Sequence, residues 1–348
     1  MLETMIKRAA ALLAVAVVAV VAVVAVAPGM AAETPVRRIE IADYRSYLEH
    51  DHPARQGMRR FAQLVRDASG GAMLVTVRPG ALPGTPDAQL ATLRRGAAEA
   101  PALMLVAATG LAPLAPEFAL LDLPWLVRDE READLLLDGA FGQALLARLE
   151  QGGLTGLAWW ENGFRQMTSA GAPIRRADDL RGLRFRVVGE PVFVETMRAL
   201  GAEPVALPFG ALREALATGR VAAQDNFLSQ ILAGRLHELQ SSLSLTRHSY
   251  SALVLLANPR AWDGFDEAER RILRQAAVDA GRFQRQAARD EERRALARLA
   301  AGGLTIVEPE ARELDALRAR TEALRMRWFD RHPDTLRALH AAATEQGG

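Results

Sequence analysis

The sequence predicts an α/β protein of two lobes with a long helix near its C-terminus. Strand-like and helix-like segments alternate twice, once across residues 38–106 and again across 183–219. A length of 348 residues suits two domains of about 100–200 residues each. Residues 266–301 are almost free of Gly and Pro and dense in Ala, Arg, Glu and Gln, the composition of one uninterrupted helix.

The elements follow in order. Residues 38–42, Arg-Ile-Glu-Ile-Ala, alternate with period two, as a half-buried strand does. Residues 53–69 place Met58, Phe61, Leu64 and Val65 at helical spacing, and Gly70-Gly71 closes that helix. Residues 73–77 and 103–106 are short apolar strands. The pattern then repeats as a strand at 183–188, a helix at 191–200, a strand at 203–206, and a helix at 212–218 that Gly219 ends at its C′ position. Strands alternating with helices imply a largely parallel sheet. The long helix stops at Gly302-Gly303, and a further helix covers 313–329. At 1.5 Å per residue the long helix spans about 50 Å. It reads either as a brace between two lobes or as a solvated helix on one.

Composition excludes several classes. Half of the residues are hydrophobic, 24% are charged and the formal net charge is +1, so the chain is too apolar and too neutral to be disordered. With 27 Gly and 17 Pro it is neither collagen-like nor of low complexity. The absence of cysteine removes disulfides, thiolate catalysis, Cys-based zinc sites and cysteine lipidation. Of 43 basic residues one is lysine, Lys7, leaving 42 arginines against 42 acidic residues. That balance carries no basic patch of the kind nucleic acid requires.

Residues 1–32 have the pattern of an export signal. Lys7 and Arg8 form a positive start, residues 9–27 are uninterruptedly apolar, Pro28-Gly29 breaks the run, and Gly29-Met30-Ala31-Ala32 supplies the small residues a signal peptidase reads. The run is also long enough for a retained membrane anchor, which needs about 17–25 residues. Cleavage, with a mature chain outside the cytoplasm, is the expectation. No nucleophile elbow, P-loop or dinucleotide fingerprint is present. His50-Asp51-His52 lacks a third metal ligand and, followed by Pro53, reads as the polar entry to the first helix. No catalytic residue, metal or cofactor is expected. Two α/β lobes, an export signal and no catalytic signature point to an extracytoplasmic binding protein, whose ligand would sit between lobes where strand ends converge.

Four segments narrow this. They are Trp159-Trp160-Glu161-Asn162-Gly163-Phe164-Arg165-Gln166-Met167-Thr168-Ser169, Asp179-Leu180-Arg181-Gly182-Leu183-Arg184-Phe185-Arg186-Val187, Leu200-Gly201-Ala202-Glu203-Pro204-Val205-Ala206-Leu207-Pro208-Phe209, and Ala215-Leu216-Ala217-Thr218-Gly219-Arg220-Val221-Ala222-Ala223-Gln224-Asp225-Asn226. Pro116-Glu117-Phe118, Leu121-Asp122-Leu123-Pro124-Trp125 and Leu245-Thr246-Arg247-His248-Ser249-Tyr250 support them. In this order and spacing the chain resembles the solute-binding subunit of tripartite ATP-independent periplasmic (TRAP) transporters, the DctP family. The resemblance implies a two-lobed periplasmic binding protein that closes on its ligand like a flytrap and hands an organic acid to a membrane permease. Lobe I would comprise 33–162 and 251–290, and lobe II 163–250 and 291–348 with the C-terminal helices.

In that family an arginine in the strand after the Leu-Arg-Gly turn pairs with the ligand carboxylate, which by position is Arg186. The residues agree, because Leu183, Phe185 and Val187 alternate with Arg184 and Arg186, and a guanidinium forks onto a carboxylate at any relevant pH. Arg184 reads as a surface residue. Arg165 matches a second cationic position, Asn226 an asparagine able to donate and accept, and Phe209 an apolar wall position that a core phenylalanine would fit as well; Trp160 reads equally as a wall that stacks on a ligand ring or as filler of the interlobe core. The ligand would be a mono- or dicarboxylate, sugar acids included. The family's Val-Asp-Gly-Gln-Glu-Asn-Pro reads here Val221-Ala222-Ala223-Gln224-Asp225-Asn226-Phe227, and its asparagine before the late histidine is Arg247. A ligand-presenting sensor component and an extracytoplasmic hydrolase or lyase are the alternative functions.

Overall fold

A computed structural model describes residues 36–46 and 48–333. The expected export signal lies outside the described residues, and among those described no helix is long and apolar enough to cross a membrane. The elements run β1 (Arg37–Asp43), α1 (Pro53–Ala68), β2 (Met73–Val77), α2 (Pro86–Arg94), β3 (Leu103–Ala107), α3 (Glu130–Asp138), α4 (Ala140–Arg148) and β4 (Thr155–Ser169). Then come β5 (Arg184–Val187), α5 (Pro191–Ala199), β6 (Glu203–Ala206), α6 (Phe209–Ala217), β7 (Ala223–Asn226), α7 (Leu228–Ala233) and β8 (Ser242–Ala257). The chain ends with α8 (Pro259–Asp263), α9 (Glu267–Ala301), β9 (Thr305–Val307) and α10 (Ala311–Arg331).

The strands form one sheet in the order β2-β1-β3-β8-β4-β7-β5-β6, with β9 beside β8. On one flank β1 runs parallel to β2 and β3, and on the other β5 runs parallel to β6 and β7. The centre departs from the parallel sheet the sequence suggests: β8 is antiparallel to β3 and β4, and β4 is antiparallel to β7. These two central strands are long, β8 having 16 residues, about 50 Å of extended chain. Both are buried at nearly every position, so neither shows the alternation that reveals a strand. Register shifts between Gly156 and Ala158, Glu161 and Gly163, and Arg165 and Met167 bend β4 as it passes between the flanks.

Helix α1 starts as its sequence suggests. His52 is the N-cap, its Nδ1 accepting from Ala54 N at 3.2 Å, and Pro53 follows in the first turn. Met58, Phe61 and Val65 lie on its buried face against Ile39 and Ile41 of β1, each such side chain contributing about 1.5–3 kcal/mol. Helix α9 has an Asp266–Glu269 capping box and runs 35 residues. It gives Leu273, Ala276, Ala277 and Ala280 to the core around β1 and β3, and Ala295 and Leu299 to the core around Leu212, Ile231 and Leu243. Of the two readings open for this helix, the brace is the observed one.

The bracing helix also decides between the two readings of Trp160, ligand wall or interlobe core. Its indole is fully buried between α1 and α9, with Nε1 donating to Ala277 O at 3.2 Å. Glycines make the room: a Cβ on Gly57 would lie 2.6 Å from the ring, and one on Gly281 2.9 Å from it. Trp160 is therefore a core residue. Alternation along β4 decides this, since Trp159 packs into the core on the opposite face of the sheet.

Toward its C-terminal half α9 meets α7. The Glu292 carboxylate accepts from Leu228 N and Ser229 N, both at 3.0 Å, at the start of that helix. Burial pushes Glu292 up to about 7 against these hydrogen bonds. A carboxyl raised from 4.5 binds its proton more tightly when folded, so stability falls as pH rises between about 4.5 and 7. The loss is about 2 kcal/mol once partial exposure is discounted. Asp122, raised to about 6 by burial, adds a slope of the same sign. Urea unfolding across this range should show stability declining with pH and a shallower decline in Glu292→Gln. Equal slopes would mean that Glu292 does not titrate there.

Candidate functional site

The carboxyl ends of β1, β3, β5, β6 and β7 all open onto one cleft of about 860 Å³. Convergence of strand ends at a switch in sheet order is where open α/β sheets hold ligands. Tyr44 and Arg45 follow β1, Thr109 follows β3, Val188 and Glu190 follow β5, Leu207 to Phe209 follow β6, and Asn226 and Phe227 close β7. Asn162 and Arg165 reach in from the bent middle of β4, and Gln89 from α2.

Four residues expected at the site, Arg186, Arg165, Asn226 and Phe209, line this cleft; Trp160 does not. Arg186 is buried, and its Nε and Nη2 donate to Leu207 O at 2.9 and 2.7 Å, which orients the guanidinium plane. Parallel pairing of Arg186 with Val205 on β6 brings that carbonyl alongside. Arg184, two residues back on the same strand, is exposed and donates to Gly219 O at 2.9 Å. Asn226 is buried, its Oδ1 accepting from Phe227 N at 3.2 Å. Phe209, half-buried, opens α6 directly after Pro208.

Arg165 is held on every side. Its Nε donates to Asp225 Oδ2 at 2.5 Å and its Nη2 to Asp225 O at 2.8 Å, while the guanidinium lies 5.1 Å from both the Phe193 and Phe227 ring centres. His248 Nε2 contacts the same Asp225 Oδ2 at 3.1 Å, and its Nδ1 contacts Thr246 Oγ1 at 2.8 Å. Burial alone would raise the Asp225 carboxyl; the Arg165 charge and the hydrogen bonds from His248 and Arg165 outweigh it and hold the group well below the usual carboxylate range. The two departures from the family pattern thus act together, the shorter acid pairing with Arg165 and the aromatic at 227 covering it. Beneath lies Asp122, accepting from Thr109 Oγ1 and Ser251 Oγ at 2.5 Å each. Trp125 and Arg247 adopt positive φ of 51° and 44° around His248, a strained backbone of the kind found next to functional sites.

Sequence reasoning missed Arg45. Its side chain is buried, forks onto both Asp43 carboxylate oxygens at 2.8 Å, and donates through Nη1 to Asn162 Oδ1 at 2.7 Å. An Asp-x-Arg directly after a strand, where the sheet's carboxyl ends face a cleft, was the available signal. Gln89 and Glu190 were missed as well, because nothing local marks either as cleft-facing.

This architecture has close counterparts. The profile of the bacterial extracellular solute-binding proteins, family 7 (DctP), matches residues 45–331. The chain is 30% identical to the 2,3-diketo-L-gulonate-binding periplasmic protein YiaO of Escherichia coli over 72% of this chain and 75% of that one. It is 31% identical to the C4-dicarboxylate-binding periplasmic protein DctP of Rhodobacter capsulatus, over 73% and 76%. A TRAP periplasmic solute binding protein from Ochrobactrum anthropi superposes with a TM-score of 0.83 at 33% identity, covering 91% of this chain and 97% of that one. These are binding proteins of transporters and not enzymes. A two-lobed sheet, a cleft at its carboxyl strand ends and a match over nearly all described residues identify the chain as a member of the DctP family of TRAP-type extracellular solute-binding proteins.

Proposed function

We propose that this chain captures a small organic acid in the cleft, with Arg186 as the carboxylate anchor, and delivers it to the membrane permease of a TRAP transporter. The observation that carries this is the buried Arg186 guanidinium at the wall of the cleft, oriented by Leu207 O. Asn226 and Arg165 supply further polar contacts and Phe209 an apolar wall. The protein works in the periplasm after removal of residues 1–32. Lobe I comprises 33–162 with 251–290, and lobe II 163–250 with 291–348. The division of the core supports these boundaries, apart from Ala119, Leu120, Leu123 and Trp125, which pack with the second lobe, and Phe164 and Tyr250, which pack with the first. Ligand contacts to both lobes favour the closed state and shift the population toward it, by no more than the difference in affinity between open and closed forms.

Thermal melting of the chain from Glu33 against organic acids, sugar acids and neutral sugars tests this. A ligand at 100 times its dissociation constant adds about 2.7 kcal/mol, a shift of several degrees. Stabilisation by acids with their neutral analogues silent is the expected result. Stabilisation by neutral sugars alone would remove Arg186 from its role.

A further inference from the structure

Helix α7 carries a buried polar residue among apolar ones. Leu228 and Ile231 pack into the core with Leu243 of β8. Gln230 lies on the other side, lining the cleft beside Asn226 and Phe227, and is only 3% exposed. Residues 227 and 230 are three apart, so one turn turns both to the cleft. That turn is held in place: Gln230 N donates to Phe227 O at 3.0 Å, and the Glu292 carboxylate accepts from Leu228 N and Ser229 N.

The Gln230 amide makes no hydrogen bond within the protein among the described residues. Neither of its amide atoms is sealed from solvent, as Gln89 Oε1 and Glu190 Oε2 are. A carboxamide buried without partners costs about 1–3 kcal/mol, which a ligand oxygen in the cleft would offset. Asn226 narrows the chemistry. Its Oδ1 accepts from Phe227 N at 3.2 Å, so Nδ2 is the group left for a ligand. A ligand hydroxyl accepts from Asn226 Nδ2 and donates to Gln230 Oε1, and a keto oxygen accepts from both amides. A methylene in the same place leaves both amides unmet.

Resting on the reading of this cleft as an organic-acid site, we propose that Gln230 determines specificity. With Asn226 it forms a subsite for a hydroxyl or keto oxygen on the ligand's carbon chain, and it selects acids that carry this oxygen over their unsubstituted counterparts. Arg186 reads the carboxylate that all these acids share, and the amide pair reads the oxygen that separates them. Gln230 also borders a cavity of about 10 Å³ behind the cleft, shared with Asn162, Gln284 and Glu292. That space suits about one water, and an amide turned into it would take no part in selection.

Isothermal titration of malate against succinate, 2-hydroxyisovalerate against isovalerate, and gluconate against hexanoate tests this on the wild type, Gln230→Met and Gln230→Ala. The wild type should prefer the oxygen-bearing member of a bound pair by about tenfold or more. Gln230→Met, which keeps the length of the side chain but removes the amide, should shrink that ratio by about tenfold, the loss falling on the oxygen-bearing member. A purely structural role would weaken both members alike and leave the ratio where it was. A wild type that prefers the unsubstituted acids, or a ratio unchanged in both variants, overturns the proposal and leaves the organic-acid reading intact. A folded wild type that binds none of the six acids also overturns it; the organic-acid reading falls with it only if the melting panel is silent as well.

Discussion

Arg186→Ala should lower organic-acid affinity by about a hundredfold or more while the protein still melts cooperatively. The guanidinium is buried beside the cleft and held by two hydrogen bonds to one carbonyl, so it enters binding already oriented and loses little side-chain entropy. Inside a closed cleft its pairing with a carboxylate is charge-assisted and shielded from water. Truncation removes the pair and leaves the ligand carboxylate desolvated without compensation. Arg186→Lys separates charge from geometry: an ammonium keeps the positive charge but loses the planar fork, and affinity should fall nearly as far. Calorimetric titration with melting curves of all three proteins measures both effects. Affinity within a few-fold of wild type in Arg186→Ala would place the anchor elsewhere.

The second large effect concerns stability. Arg165→Ala leaves the Asp225 carboxylate buried opposite only His248, and removal of one partner from a buried ion pair costs about 3–5 kcal/mol. It also empties the space between the Phe193 and Phe227 rings. The double variant Arg165→Met with Asp225→Asn fills that space without an unpaired charge and should recover most of the loss. Since Asp225 titrates below its ordinary 3.8 when folded, the stability it contributes is present above that pH and is lost as pH falls toward the folded value. Urea unfolding of the two variants near neutral pH distinguishes the roles of Arg165. A single variant as stable as wild type would leave Arg165 with ligand contact alone. The expected loss makes it a floor for the cleft as well.

The local elements were legible where one face of an element is buried and the other is wet. The 53–69 helix, the strand at 38–42 and the long helix from 266 follow from period and caps, and each is observed within a few residues. The central strands β4 and β8 were not legible as the antiparallel axis of the sheet, because burial on both faces erases alternation and pairing partners lie far apart in sequence. Phe209 was expected in a wall before the 212–218 helix; α6 begins at Phe209 itself, after Pro208. For the site, Arg186, Arg165, Asn226 and Phe209 were singled out from motif positions and share one cleft. Trp160 came with the same motif and faces the opposite way, since neighbouring strand residues point to opposite faces and which face meets a helix is a tertiary matter.

Local period, capping and ordered motifs suffice to read the class of the fold, the family, the long helix and the strand that carries Arg186 directly from the order of residues. Which aspartate meets Arg45 and which meets Arg165 follows only from the folded chain. Arg45 meets Asp43 two residues away, but Arg165 meets Asp225 across two antiparallel strands. Hydrogen-bond satisfaction and pairing of charge depend on distances of a few ångströms between groups from different elements, and sequence spacing carries no record of those.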